Sequence, residues 1–579
     1  MQPVAEDEIV AAAAAGQVLD CLDGSTRRSL DAAVLRRCCH QLRDRIDPRG
    51  VWLRNAAVTG QLDLAGLDIP FSLRFDSCEF DAPLQVEGAQ LPELAVTGCP
   101  RLPGLLANGV RIRRDLDLSG SRVTGALRTT ASTSKRSSIW LCESDIGGRL
   151  LCVGTVIDGG GERAIQADRM RVGGNIRLLR QFTAAGEVRL IGARVGGSVD
   201  LTGVRIDTPH TGLALDLGES VIDGSLFLID DETGRRPDLR GRVDLGGTRI
   251  SGQFLIRNAA IGAPSTGPVG SAYSRARQDG MAISAPRLRV GAETAFEGTC
   301  RITGGIDLAM SELTSLSAGS GCALRAPGRT ALNLTNADIG SSVVLGRGAT
   351  IEGTTRLTGA RVRGRLTLQG VRLAAPQGKT LLAGQGLTVD GATELQHVRT
   401  AGGRLHLSSA SLGSLVATGA RLTNPDGFTL SLHQATIRGS LVLGGGFSSD
   451  GLVSLNQCRV AGRLECGGGT FTCPAPFDRN PGGHALEAVS AEFAGGMYLG
   501  SFAVRPSLDV TNASTPFLAD LPDHWPPTFV ISGFRYDRLE QAAGGSPAST
   551  WDHRARCAWL ARQASYDAGP YEQAARVFR

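Results

Sequence analysis

The chain has 579 residues, of which 77 are glycine and only 5% aromatic, and its formal net charge is +5. Glycine stands far above its ordinary share of about 7%. The three or four compact domains that the length alone suggests would need more rings in their cores. So small a net charge argues against binding nucleic acid by bulk charge, and only Lys135 and Lys379 are lysines, so nearly all the positive charge is arginine.

The chain opens on an acidic stretch, Met1–Val10. The run Ala11–Ala15 is too short and too weakly apolar for a secretory signal. Glu6, Ile9, Val10 and Leu19 predict one helix, and Asp31 to Leu42 a second with Val34, Leu35 and Leu42 apolar, stopped by Asp47-Pro48. Residues 1–48 are therefore expected to be an N-terminal helical cap. Cys38, Cys39 and His40 are adjacent, but neighbours on a helix point apart, and no metal site is expected there.

From 49 to 503 the pattern is a repeat. Val188/Leu190, Ala193/Val195, Val199/Leu201 and Val204/Ile206 are apolar pairs separated by one residue, the period-two signature of a strand. They recur after five or six residues, so that Val188 to Val199 and Val195 to Ile206 each span eleven. The spacing returns at Val243/Leu245, Thr248/Ile250, Phe254/Ile256 and Ala259/Ile261. It returns again at Thr355/Leu357, Ala360/Val362, Leu366/Leu368 and Val371/Leu373. No helix repeats a two-residue pair in this way; a coil with four short sides and about 22 residues per turn does. Glycines such as Gly192, Gly203, Gly247, Gly359 and Gly370 fall at its corners. The fold class is all-β: a right-handed quadrilateral β-helix, a pentapeptide-repeat-like solenoid, with short α-helical segments at both termini. Leu201, Leu245, Leu357 and Leu368 should be buried in stacked columns.

A longer period overlies the first. Polar inserts such as Gly159–Arg163, Thr208–Thr211, Arg277–Gly280, Pro376–Lys379, Asn424–Gly427 and Asp478–Gly483 precede apolar restarts about every fifty residues. That spacing predicts two coils plus one protruding loop, with the loops aligned on one edge.

Residues 504–579 are expected to be a loop followed by helices, and to be truncated. Pro516–Phe529 carries four prolines and Trp525. Thr550 is placed as the cap of a helix from Trp551 to about Gln563. Pro570 opens another helix, with Tyr571, Ala574, Ala575 and Phe578 on one face. The thirteen cysteines include no CxxC pair and read as reduced, mostly buried thiols of a cytoplasmic protein, one that could lie at the inner face of the membrane. No run of about 18 apolar residues exists to span it.

The Ala-x-Val and Leu-x-Leu pairs between turns resemble pentapeptide-repeat proteins, whose square β-helix buries a small residue and a leucine on each five-residue side; here fives alternate with sixes. Nearly the whole chain is similar to a group of actinobacterial and other bacterial proteins. They share a helical N-terminal cap, repeats such as A-R-V-G-G-S-V-D-L-T-G, and an ending like the one at Gly533–Glu540, Trp559–Gln563 and Pro570–Arg579. The resemblance implies continuation toward a membrane in some members and, for some, the label membrane-associated oxidoreductase. It brings no catalytic residues.

Chemistry motifs are weak. Gly159–Gly161 and Gly444–Gly446 lie inside the repeat, where no helix follows to make a dinucleotide site. Tyr273 is followed by Arg277 rather than by the lysine of a short-chain dehydrogenase. No catalytic residue, cofactor or metal is assigned, and an enzyme is the less favoured reading. A β-helical carbohydrate-active enzyme would use exposed carboxylates. Asp63, Asp117, Asp200, Asp244 and Asp307 occupy pair middles, and Asp200 and Asp244, 44 residues apart, should share a side two turns apart. The better signal is a set of outward arginines at pair middles: Arg111, Arg122, Arg171, Arg194, Arg205, Arg249, Arg289, Arg361, Arg372 and Arg421. The half-turn offset between 194 and 205 divides them between two opposite sides. Such stripes either solubilise the surface or bind an anionic surface or protein partner, including a membrane peripherally. The expected function is thus a non-catalytic scaffold or binding module.

Overall fold

A pair of the form Val-x-Leu buries its two flanking residues and turns the middle one outward only if the backbone is extended. The computed structural model describes residues 3–129, 132–208, 212–262, 280–542 and 552–579, and there the pairs are short strands. Coil after coil stacks in parallel register, giving a β-solenoid of about 19 turns. The chain divides into two units, Met1–Ala295 with Cys300–Gly304, and Phe296–Thr299 with Gly305–Arg579.

One coil of the first unit shows the plan. Arg194–Val195, Val199–Asp200, Arg205–Asp207 and Leu213–Asp216 are its four strands, called here sides 1 to 4 in chain order. They pair with the next coil at Arg194↔Val221, Val199↔Leu226, Arg205↔Asp238 and Asp216↔Asp244. The second unit repeats the plan. Where nothing is inserted the advance is 22 residues, as from Thr350 to Arg372 and from Arg399 to Arg421. Leu201, Leu245, Leu357 and Leu368 are at most 1% exposed.

The inserts are the bases of loops at one corner, between sides 3 and 4, on alternate coils. Asp158 and Arg163 bracket four residues where the next coil has only Gly186. Arg325 and Thr330 bracket four opposite Gly353, and Thr423 and Phe428 four opposite Gly451. Each four-residue loop folds down over the glycine of its neighbour. A Cβ on Gly353 would sit 2.5 Å from the Ala326 carbonyl oxygen, and one on Gly451 would sit 2.2 Å from that of Asn424. A side chain there would push the loop off, which is why loop-bearing and glycine-bearing coils alternate. The insert at 263–279, with Tyr273 and Arg277, lies outside the described residues.

At the N-terminus α1 (Glu6–Ala14) and α2 (Ala32–His40) form, and Asp31 caps α2 by accepting the Ala33 N–H at 2.8 Å. Leu19 does not join α1. It lies in the strand Val18–Asp20, which pairs with Val51–Arg54, because its backbone completes the edge of the first coil. Cys38 and Cys39 are buried while His40 is exposed, and burial pushes the Cys38 thiol up to about 11.

Parallel pairing runs on beyond residue 503, through Ser514–Asp520 and Thr528–Val530 to Arg535–Leu539. Three of the four prolines, Pro522, Pro526 and Pro527, fall in the connection between strands, where no ladder N–H is needed. Two helices follow, α3 (His553–Leu560) and α4 (Gly569–Val577). Thr550 and Trp551 lie outside the described residues, and the cap of α3 is Asp552, which accepts the N–H groups of Arg554 and Ala555. On α4 Ala574 is buried and Ala575 exposed, so the inward face is narrower than the spacing predicts.

Candidate functional site

The five pair-middle aspartates are corner pieces. Asp63, Asp117, Asp200, Asp244 and Asp307 each accept the backbone N–H two residues on, at 2.9, 2.9, 3.2, 2.9 and 3.1 Å. This is an Asx-turn, and it bends the chain at the end of a side. The third residue after the aspartate is left-handed, as at Gly247 with φ 69° and even at Met310 with φ 57°. Asp200 and Asp244 do not share a side. Asp200 aligns with Phe227 on side 2, whereas Asp244 aligns with Asp216 on side 4. Inserts near 208–212 and 229–237 lengthen the intervening coil, so 44 residues are not two turns.

Side 4 of the first unit holds a cluster of buried charge. Glu187 is fully enclosed beside Arg163 at 3.3 Å, and Arg189 reaches Asp168 at 3.0 Å and Asp216 at 3.4 Å. Burial pushes the Asp216 carboxyl up to about 7, with the neighbouring Asp244 charge adding to it. A carboxyl whose folded value lies above its unfolded value, about 3.9, stabilises fully below pH 4, and that contribution is lost as pH rises through 7. Asp216→Asn should therefore match the parent below pH 4 and exceed it in melting temperature above pH 7. Calorimetry across pH 4–8 checks this; parallel curves would contradict it. The cluster makes a buried ion-pair network, and among the described residues no three His, Cys, Asp or Glu groups converge as metal ligands.

All ten predicted arginines are exposed. Arg111, Arg171, Arg194, Arg249, Arg289 and Arg361 stand on side 1, and Arg122, Arg205, Arg372 and Arg421 on side 3. Register decides which meet. Arg171 aligns with Arg194, and Arg249 with Arg289. Most of the others interleave with acids or neutral residues. Arg111 aligns with Asp145, Arg205 lies 3.9 Å from Asp238, and Arg361 lies 4.0 Å from Asp390.

Side 3 of the second unit differs. Its outward column reads Thr350, Arg372, Arg399, Arg421, Ser448, Thr470, with no acid. Three arginines thus leave the backbone on successive coils, whose strands are spaced about 4.8 Å apart. Among the described residues no carboxylate lies within 4 Å of them. The parallel column beside them is Ala374, Ala401 and Thr423, small and uncharged, bounded by Glu352 one coil before and Asp450 one coil after. Arg399 rides the recessed coil, where Gly402 takes the place of a loop, and the loops at 375–378 and 424–427 rise on the coils to either side. The sequence reading missed Arg399 because Thr400, not an aliphatic residue, follows it. A further hollow of about 280 Å³ between the loops at 326–329 and 375–379 is lined by Arg329, Arg356 and Lys379 and by no acid.

The thirteen cysteines are free thiols, eleven of them buried, with Cys557 exposed. Among the described residues no helix is long and apolar enough to cross a membrane. No family model, curated protein or solved structure matches the chain.

Proposed function

We propose that the chain is a non-catalytic binding scaffold that presents side 3 of its second unit to an anionic partner, either a surface or an extended polymer carrying repeated negative groups. The observation that carries this is the in-register run Arg372–Arg399–Arg421 without a neutralising carboxylate. Like charges held on adjacent strands repel. A fold that tolerates this on three coils, flanked by small residues and framed by loops, gains most when an anion arrives, and planar guanidiniums bind oxyanions two-pronged. Buried reduced thiols fit a cytoplasmic setting, and an anionic membrane face is one such surface. The bacterial group that the repeats resemble includes members that continue toward a membrane, which is in keeping with that setting.

Two probes test the reading: a heparin column, and co-sedimentation with phosphatidylserine or phosphatidylcholine vesicles. The triple variant Arg372→Gln, Arg399→Gln, Arg421→Gln should bind both anionic probes less. The slope of log affinity against log salt should fall by about two to three units, one for each lost contact. Arg361→Gln with Arg459→Gln, on side 1, should behave as the parent. Unchanged retention of the triple variant overturns the proposal. An oxidoreductase reading, implied by the family label alone, would be favoured by flavin absorbance in the purified chain.

A further inference from the structure

Every side of a solenoid coil offers its outer edge to the next coil, and side 3 of the second unit runs out of partners before the others do. The strand Ala503–Arg505 pairs on one edge with Thr470–Thr472. Ala503 N–H donates to the Gly469 carbonyl at 2.9 Å, and the Arg505 carbonyl accepts from Cys473 N–H at 3.0 Å. Alternation along a parallel strand then turns the N–H and C=O of Val504 to the opposite edge. Among the described residues nothing pairs there. The next coil supplies Thr528–Val530 to side 4 and Arg535–Leu539 to sides 1 and 2. It crosses side 3 as Leu521–Pro527, with a 3-10 turn at Pro522–His524 instead of a strand. Pro522, Pro526 and Pro527 have no N–H to offer, so this crossing cannot complete the ladder itself.

Between that crossing and Val504 lies a cleft of about 1200 Å³. Its floor holds Phe502 and Trp525, whose rings meet edge to face at 6.0 Å. Its rim carries Arg505, Arg562 and His524 against a single acid, Asp523. Arg562 also fastens the far wall by donating to the carbonyls of Pro522 and Trp525.

We propose that this cleft takes an extended acidic peptide, which adds the missing side-3 strand by pairing with Val504 and sets its carboxylates against Arg505 and Arg562. The unpaired backbone edge calls for an extended main chain, and the cationic rim selects the acidic side chains. This site is separate from the arginine run on side 3.

The probe is a fluorescein-labelled Glu-Val-Glu-Val-Glu peptide, read by anisotropy. It is compared with a Lys-Val-Lys-Val-Lys peptide and with a Glu-Val peptide N-methylated on alternate amides. The full chain should bind the acidic peptide saturably, and the lysine and N-methyl peptides at least about tenfold more weakly. Val504→Pro removes the outward N–H without touching a solenoid hydrogen bond and should weaken binding about tenfold. Arg505→Gln should weaken it several-fold. Circular dichroism melting verifies that each variant is folded. If Val504→Pro unfolds, the N-methyl peptide and Arg505→Gln decide the question. Absence of saturable binding, or equal binding of the N-methylated peptide, overturns the proposal. The Arg372, Arg399 and Arg421 triple variant should bind the peptide as the parent does; loss of binding there would place the peptide on the arginine column and also overturn it.

Discussion

Leu357→Asp is expected to unfold the second unit at temperatures where the parent is intact. Leu357 is 1% exposed and continues the corner column of Leu308 and Leu334. Its N–H donates to the Ala383 carbonyl of the next coil at 2.6 Å, and inward residues of its own coil such as Val362 and Leu366 are buried with it. The substitution removes about 2–3 kcal/mol of apolar burial and encloses a carboxylate with no partner, at a further cost of several kcal/mol. Stacked coils contact only their neighbours, so the damage should spread outward from residue 357. Hydrogen exchange should locate the loss around Thr350–Ala383 first. A melting curve that overlays the parent would mean that Leu357 does not face inward.

The second large effect is expected where the solenoid meets its C-terminal helices. Asp520 ends a strand and Arg556 lies on α3. Their side chains form a two-pronged ion pair at 2.9 and 3.0 Å and are 1% and 2% exposed. Asp520 also accepts the Trp525 Nε1–H at 2.7 Å, and the Arg556 guanidinium lies 4.7 Å from the centre of the Trp559 ring. Around the pair, Trp525, Phe529 and Trp559 pack with centroids 5.0–5.4 Å apart. Asp520→Ala strands a buried guanidinium and should cost about 3–5 kcal/mol. The double variant Asp520→Ala, Arg556→Met removes both charges and should recover much of that loss. Denaturant titration followed by tryptophan emission measures both, since release of α3 bares Trp559 and shifts its emission to the red. Equal losses in the single and double variants would show that packing, not charge, holds the helix.

Much of the architecture is written in local pattern. Val188/Leu190 and its successors prescribe strands, the five-and-six spacing prescribes four sides, and the polar inserts mark a loop on every second coil. The sequence suffices for these because each depends on neighbours within one coil: alternation of faces, corner chemistry, and the length of chain between corners. Side membership across coils was not legible. Asp200 and Asp244 part company because inserts change the coil length between them, and counting residues cannot say on which side an insert is absorbed. The arginines illustrate the same limit. Each one is visibly outward in its own pair, but whether it meets Asp145, as Arg111 does, or another arginine, as Arg399 does, is a matter of register. The pair Asp520–Arg556 joins residues 36 apart through a strand end and a helix, and no periodicity relates them. The open edge at Val504 arises only because one connection fails to become a strand. Contacts within a coil are determined by the sequence of that coil, while contacts between coils depend on the summed length of everything between them, and only the tertiary structure carries out that sum.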